Sequence, residues 1–312
     1  MQLNFNKKSR PERAVLSTVV LLIWIVLLPT AAQARVNVVT TIPSLAALAT
    51  VVGGDDVVVQ RLASPTADPH FVDGRPSFIV ALNRADLLVH VGLDLEVGWL
   101  PPLLAQARNG AILSGRSGNL DASRVAGPLI GVGASTDRAR GDVHAGGSPH
   151  FLLDPRMAVN VALAVALRLV ELDPPNADRY RQRAAAFKRE MAARIKGWER
   201  RLAPHTDKPI VSFHASTQYL ARWLGLRNIG YIEALPGVAP NASHLAGLIL
   251  SMRKNKVRVV LSEAWYDAET ARVVAAKSGA TLFRLPGDVG ADGVPTYPAL
   301  IELIVTGLEN AL

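Results

Sequence analysis

Short β-branched runs alternate with longer amphipathic ones along most of this chain. Val36-Asn37-Val38-Val39-Thr40-Thr41 predicts a strand. Ile42-Pro43-Ser44 ends it, and Ser44 is placed to cap a helix over 45–52. Gly53-Gly54-Asp55-Asp56 turns the chain into a second strand over 57–62. A helix over 78–84 and a third strand over 86–91 follow. Strand, helix, strand, helix, strand is the pattern of a parallel sheet with helices on its faces. In such sheets ligands bind beyond the carboxyl ends of the strands.

Helical periodicity returns over 99–108. Residues 110–147 are rich in Gly, Ser and Asp and predict mostly loop. A helix over 156–172 is broken by Pro174-Pro175, and a long helix then runs from 176 to about 202, where Pro204 ends it. Along it Tyr180, Ala184, Phe187, Met191, Ile195 and Trp198 recur every three or four residues, so one stripe is buried. At 1.5 Å per residue the helix is roughly 40 Å long, enough to span a domain as a rigid connector. Beyond it the alternation resumes, with strands over 209–213, 229–233, 257–262 and 281–285 and helices over 217–224, 243–254, 267–278 and 298–312. The pattern predicts an α/β protein of two lobes, each a mostly parallel sheet flanked by helices. An N-terminal lobe over 35–174 and a C-terminal lobe over 205–312 are joined by one connector helix over 175–204.

The first residues change the picture. Lys7, Lys8, Arg10 and Arg13 precede an apolar-biased run over 14–28, then Pro29 and Ala32-Gln33-Ala34. A basic start, a short apolar middle and an A-x-A end make a secretory signal peptide over 1–34, and the run is shorter than the ~18–20 residues a membrane span needs. The mature chain then begins at Arg35 and works outside the cytoplasm. The sequence has no cysteine. That excludes disulfides, thiolate metal ligands and the residue on which a lipid anchor is built. Any site for a metal of intermediate softness must use histidine and carboxylate. The formal charge of +8 falls when the leader is removed, and the remaining positive residues are concentrated over 179–201 on the long helix. With few aromatics beside them, they read as a solvated helix surface and not as a nucleic-acid platform.

The seven histidines carry the candidate chemistry. Asp68-Pro69-His70-Phe71-Val72-Asp73 and Pro149-His150-Phe151-Leu152-Leu153-Asp154-Pro155 both contain Pro-His-Phe followed by aspartate. Pro149 fixes its own φ and Pro155 keeps Asp154 out of a helix, so His150 stands on a stiff loop just before a helix. His70 follows a strand and His214 ends one. Each alone reads as a buried structural histidine; the repeated tripeptide turns the balance toward ligation. Three neutral imidazoles converging from two lobes suit a borderline-soft divalent cation, with a carboxylate to complete four-coordination. His90, inside a strand, and His244, at a helix start, read as structural, and His205 as exposed.

These pieces resemble the solute-binding proteins of zinc and manganese ABC transporters. The likeness rests on Thr40-Thr41-Ile42-Pro43, the two Pro-His-Phe segments, Ser212-Phe213-His214, Asn241-Ala242-Ser243-His244-Leu245, Leu261-Ser262-Glu263 and the end over 290–303, and it covers essentially all of the mature chain. It implies two α/β lobes joined by one long helix, with His70, His150 and His214 binding metal. The family's fourth position is usually an aspartate in the loop after the last strand, which points to Asp288, with Glu263 or water as the alternative. Glu263 is also placed to orient a ligand histidine. His144 reads as an exposed loop residue, or as the vestige of a longer histidine-rich loop and an alternative ligand. Manganese members tend to use two histidines and two carboxylates, with glutamate where this chain has His214, so three histidines favour Zn²⁺ over Mn²⁺. The resemblance implies a monomeric periplasmic receptor that captures zinc, delivers it to a membrane ABC-transporter permease, performs no chemistry and has no nucleic-acid partner.

Two other readings start from the same residues. Three histidines around zinc are also a catalytic arrangement when water takes the fourth position, which would make a secreted zinc-dependent hydrolase. Against it, there is no H-E-x-x-H, and no general base follows a ligand at useful spacing. G-x-S-x-G is absent too, and Gly53-Gly54 and Gly146-Gly147 read as turns. A manganese-binding receptor or adhesin of the same fold would share most of the residues quoted above.

Overall fold

Val38 and Val39 of strand β1 (Val36–Thr40) are both buried, although successive residues of a strand face opposite ways. Both faces of their sheet are therefore covered, as parallel sheets require. The computed structural model of the protein describes residues 1–3, 34–131, 144, 146–235 and 237–312. The body of the export signal expected over 1–34 lies outside the described residues. Residues Val36–Leu312 form one compact unit. No helix among the described residues is long and apolar enough to cross a membrane.

The first sheet has the order β2-β1-β3-β4, with β2 Val57–Arg61, β3 Leu87–His90 and β4 Asn119–Asp121, all parallel. Helices α1 (Pro43–Gly53), α2 (Pro76–Arg84), α3 (Leu100–Ala107) and the single turn α4 (Ser123–Ala126) connect or follow these strands. Strand β4 falls in the region the sequence predicts as mostly loop. It is three residues long with one apolar side chain, Leu120, so no period could mark it. Its entry is fixed by Gly118, where an added Cβ would lie 2.6 Å from the carbonyl oxygens of Asp86 and Ala111.

The second sheet repeats the plan. Its order is β6-β5-β7-β8, with β5 Pro209–Ser212, β6 Arg227–Tyr231, β7 Val259–Ser262 and β8 Thr281–Arg284, again all parallel. In both sheets the first strand lies between the second and third, so chain direction across the sheet reverses beside it. Crevices at such points, beyond the carboxyl ends of the strands, are where ligands bind.

Helix α5 (Pro155–Leu172) leads through a 3₁₀ turn to α6 (Ala177–Leu202), the long connector. Tyr180, Ala184, Phe187, Met191 and Trp198 are buried as the periodicity predicts. Buried Asp173 starts the connector, accepting from Asn176 Nδ2 (2.7 Å) and Tyr180 Oη (2.6 Å). The remaining helices are α7 (Gln218–Leu224), α8 (Ala242–Lys254), α9 (Ala268–Ser278) and α10 (Tyr297–Ala311). Arg183 on α6 bonds Asp56 in the first lobe (2.8 Å), and Arg201, five turns on, bonds Glu309 of α10 (2.7 Å). One hydrophobic cluster contains Val38 and Leu48 of the first lobe, Met191 and Trp198 of the connector, and Ile210, Leu261 and Ile301 of the second. Each buried Leu, Ile or Met of that seam contributes about 1.5–3 kcal/mol. A core shared across both lobes leaves little freedom for a wide hinge.

Candidate metal centre

The loop after β2 makes its histidine rigid. Asp68 Oδ1 accepts from the His70 backbone N–H (3.0 Å) and from His70 Nδ1 (2.7 Å), while Trp99 Nε1 donates to the Pro69 carbonyl (3.0 Å). An ionised carboxylate only accepts, so the proton of His70 sits on Nδ1 and Nε2 keeps its lone pair. Burial would raise the Asp68 carboxyl, but the hydrogen bonds and charge of His70 outweigh it and hold it below the ordinary value.

His150 is held from both lobes. Gly147, at φ +115°, turns the chain into Ser148-Pro149-His150, a conformation that disfavours any side chain. Tyr219 of α7, in the second lobe, donates to the Ser148 carbonyl (2.9 Å), and Tyr297 of α10 donates to the Leu152 carbonyl (2.6 Å). On the other side Asp154 caps α5, accepting from Arg156 N (3.0 Å). Burial drives the His150 imidazole well below its ordinary pKa, and the nearby charges of His70 and His214 add to this. It is neutral at physiological pH, as a metal ligand must be.

His214 lies just past β5, and its Nδ1 donates to Glu233 Oε2 (2.8 Å), just past β6. The register Ser212↔Tyr231 puts both residues two places beyond paired positions. Sequence reasoning assigned an orienting role to Glu263 and overlooked Glu233. The signal was a carboxylate ending one strand and a histidine ending its neighbour, legible only once the strand order is known. Glu263 instead follows β7 and accepts from Ser216 Oγ, while its Oε2 is buried without a partner. Burial pushes its carboxyl up to about 8.

The structure brings His70, His150 and His214 together: one ligand atom from each lies within 4.8 Å of the others. Ring centroids are 5.2 Å apart for His70–His150, 5.7 Å for His70–His214 and 5.4 Å for His150–His214. Nε2 of His70 and of His150 is buried with no hydrogen-bond partner. Native proteins rarely leave such atoms unpaired without a reason, and a lone-pair nitrogen beside two other imidazoles calls for a cation. His144 is half-buried nearby, not exposed as its loop position suggests. Its Nδ1 donates to the Leu93 carbonyl (2.7 Å), and burial and then the charge of His70 push its pKa down to about 4.

Asp288 is placed differently. It is not in the imidazole group. Its carboxylate accepts from Ser44 Oγ, Ser44 N (3.1 Å) and Val289 N (2.7 Å). The sequence assigned Ser44 as the cap of a helix over 45–52. That helix starts earlier, with Pro43 in its first turn and no side-chain cap from its own segment. Asp288, from the opposite lobe, satisfies an otherwise orphan N–H and sets negative charge at the positive helix end. Burial raises its carboxyl, and the Ser44 and Val289 bonds offset part of the rise. A cavity of about 110 Å³ between the lobes is lined by His150 and Glu263 at one part and by Ser44 and Asp288 at another.

Of the other histidines, His90 reaches Asn119 Oδ1 (3.3 Å) and His244 reaches the Tyr231 carbonyl (2.9 Å), while half-buried His205 pairs with Lys208 (2.9 Å).

The chain is similar to several characterised proteins. The iron-binding protein YfeA of Yersinia pestis is 26% identical over 89% of this chain and 86% of its own length. The high-affinity zinc uptake system protein ZnuA of the same organism is 26% identical over 78% of this chain and 80% of its own. The crystal structure of a zinc-bound ZnuA deletion mutant superposes with a TM-score of 0.74, at 27% identity, covering 89% of this chain and 98% of that one. The family model described as zinc-uptake complex component A, periplasmic, matches residues 38–311. This chain, with its two parallel four-stranded sheets and long central helix, belongs to that ZnuA family of periplasmic metal-binding proteins.

Proposed function

We propose that this protein captures a zinc ion between its two lobes in the periplasm and delivers it to the permease of an ABC transporter. The observation that carries this reading is the convergence of three imidazoles, two buried and one half-buried, two of them with Nδ1 tied to a carboxylate and two with a buried, unpartnered Nε2. His70, His150 and His214 bind the ion. Nitrogen donors suit zinc, whereas manganese prefers oxygen, so zinc is the cargo even though relatives include an iron-binding protein. Asp288 is bonded to Ser44 and lies outside the imidazole group, and Glu263 Oε2 is the alternative carboxylate donor. The protein works as a monomer freed of its leader at Ala34, without a lipid anchor, and transforms no substrate. The shared core of the two lobes supports a small closing movement on binding.

Growth in zinc-chelated medium tests the role. A host that lacks this protein should grow poorly there, and the parent gene should restore growth while a His150→Ala gene should not. Zinc added in excess should rescue the host without the gene. Rescue by manganese or iron but not zinc would overturn the assignment of the cargo.

A further inference from the structure

We propose that Tyr219 and Tyr297 are positioning residues of this site: from the second lobe they bracket His150 and fix where its ring meets the ion. This rests on the reading of the site given above and deepens it. His70 and His214 each have Nδ1 tied to a carboxylate, that of Asp68 and of Glu233, and such partners orient a ligand ring. Among the described residues His150 has no such partner. Its Nε2 is buried and unbonded, and its ring makes no hydrogen bond to any of them. The aim of this ligand therefore depends on its backbone.

That backbone is gripped at two points, symmetrically. The carbonyls two residues before and two residues after His150 each accept from a tyrosine hydroxyl. Tyr219 Oη of α7 donates to the Ser148 carbonyl (2.9 Å), and Tyr297 Oη of α10 to the Leu152 carbonyl (2.6 Å). Tyr219 also accepts from the Ile130 N–H (3.0 Å), and its ring meets that of Phe151 edge-on at 6.4 Å. Both tyrosines are fully buried, so their bonds lie in the protein interior, where hydrogen bonds are strongest. Between the two grips His150 has φ −85° and ψ 29°, beside the sparsely populated bridge region. Such a conformation persists where the surroundings over-determine it. A phenylalanine at either position would keep the ring and its packing but leave a carbonyl beside the ligand without its donor.

Chelator competition with zinc on the purified protein tests the proposal, with Tyr180→Phe as the control. Tyr180 is equally buried, but its hydroxyl serves Asp173 at the start of the connector. Tyr219→Phe and Tyr297→Phe should each weaken zinc binding about tenfold, the lower end of what loss of a ligand's orienting partner costs. Tyr180→Phe should lower the melting temperature of the metal-free protein and leave zinc affinity unchanged. The effect must also pass through His150. Tyr219→Phe should therefore cost little further affinity in a His150→Ala background and its full amount in a His214→Ala background. Parental zinc affinity in both tyrosine variants, or the same loss with His150 already removed, would overturn the proposal and leave the three-histidine reading intact. Undiminished zinc binding by His150→Ala alone would instead overturn that underlying reading.

Discussion

Two groups of polar side chains face the junction of the lobes, and they are satisfied in opposite ways. At the Asp288–Ser44 contact the carboxylate has partners from Ser44 N, Ser44 Oγ and Val289 N. At the histidine cluster, Nε2 of His70, His144 and His150 is buried with nothing to bond. Both groups join distant parts of the sequence. A satisfied contact holds its geometry without a ligand; an unsatisfied one stays costly until a ligand arrives. On the proposed reading Asp288 and the histidines have different work, one latching the lobes and the others receiving the ion.

The comparison can be broken by exchanging the expected outcomes. The largest effect should come from the histidines: His150→Ala should weaken zinc binding by about 100-fold or more, beyond what loss of a ligand's partner does. Asp288→Ala should weaken it less than tenfold but destabilise the metal-free protein by about 1–2 kcal/mol, as loss of a helix cap does. Ser44→Ala should match that loss of stability, and the double variant should add little to either, because the two residues share one contact. Calorimetric zinc titration and urea denaturation read the two quantities. Asp288→Ala impairing zinc binding as severely as His150→Ala would make the latch a ligand.

A smaller effect sharpens the contrast at Glu263, which is half satisfied. Its carboxyl is raised from an ordinary 4.5 to about 8 by burial. A group whose folded pKa is raised stabilises fully below its unfolded value, and that contribution is lost as pH rises through the folded one. The parent therefore loses stability on this account between about pH 4.5 and 8. Glu263→Gln cannot ionise, so the melting temperature of the metal-free variant should gain on the parent's as pH rises from 5 to 8. A difference constant with pH would mean that Glu263 is not buried as a carboxylic acid.

Much of this was legible before any coordinates. Short β-branched runs and the 3.6 period gave the alternation of both lobes, and the stripe from Tyr180 to Trp198 gave the connector, because burial writes itself into composition and spacing. Pro-His-Phe gave His70 and His150 through backbone stiffness. The rest depended on contacts distant in sequence. Strand β4 had one apolar residue to show. Glu233 became the partner of His214 only through strand order. Asp288 capping α1 joins residues 244 apart, and no local rule connects them. His144 looked exposed because its surroundings are rich in Gly and Ser; the Leu93 carbonyl that anchors it is 51 residues away.

Crystals of the protein grown with zinc, and diffraction recorded on both sides of the zinc absorption edge, locate the ion without assumption. An anomalous peak about 2.0–2.1 Å from a ring nitrogen of each of His70, His150 and His214 is the expected result. A peak elsewhere on the chain, or one bound by Asp288 and Glu263 with any of these three histidines turned away, would contradict the assignment of the three-histidine centre.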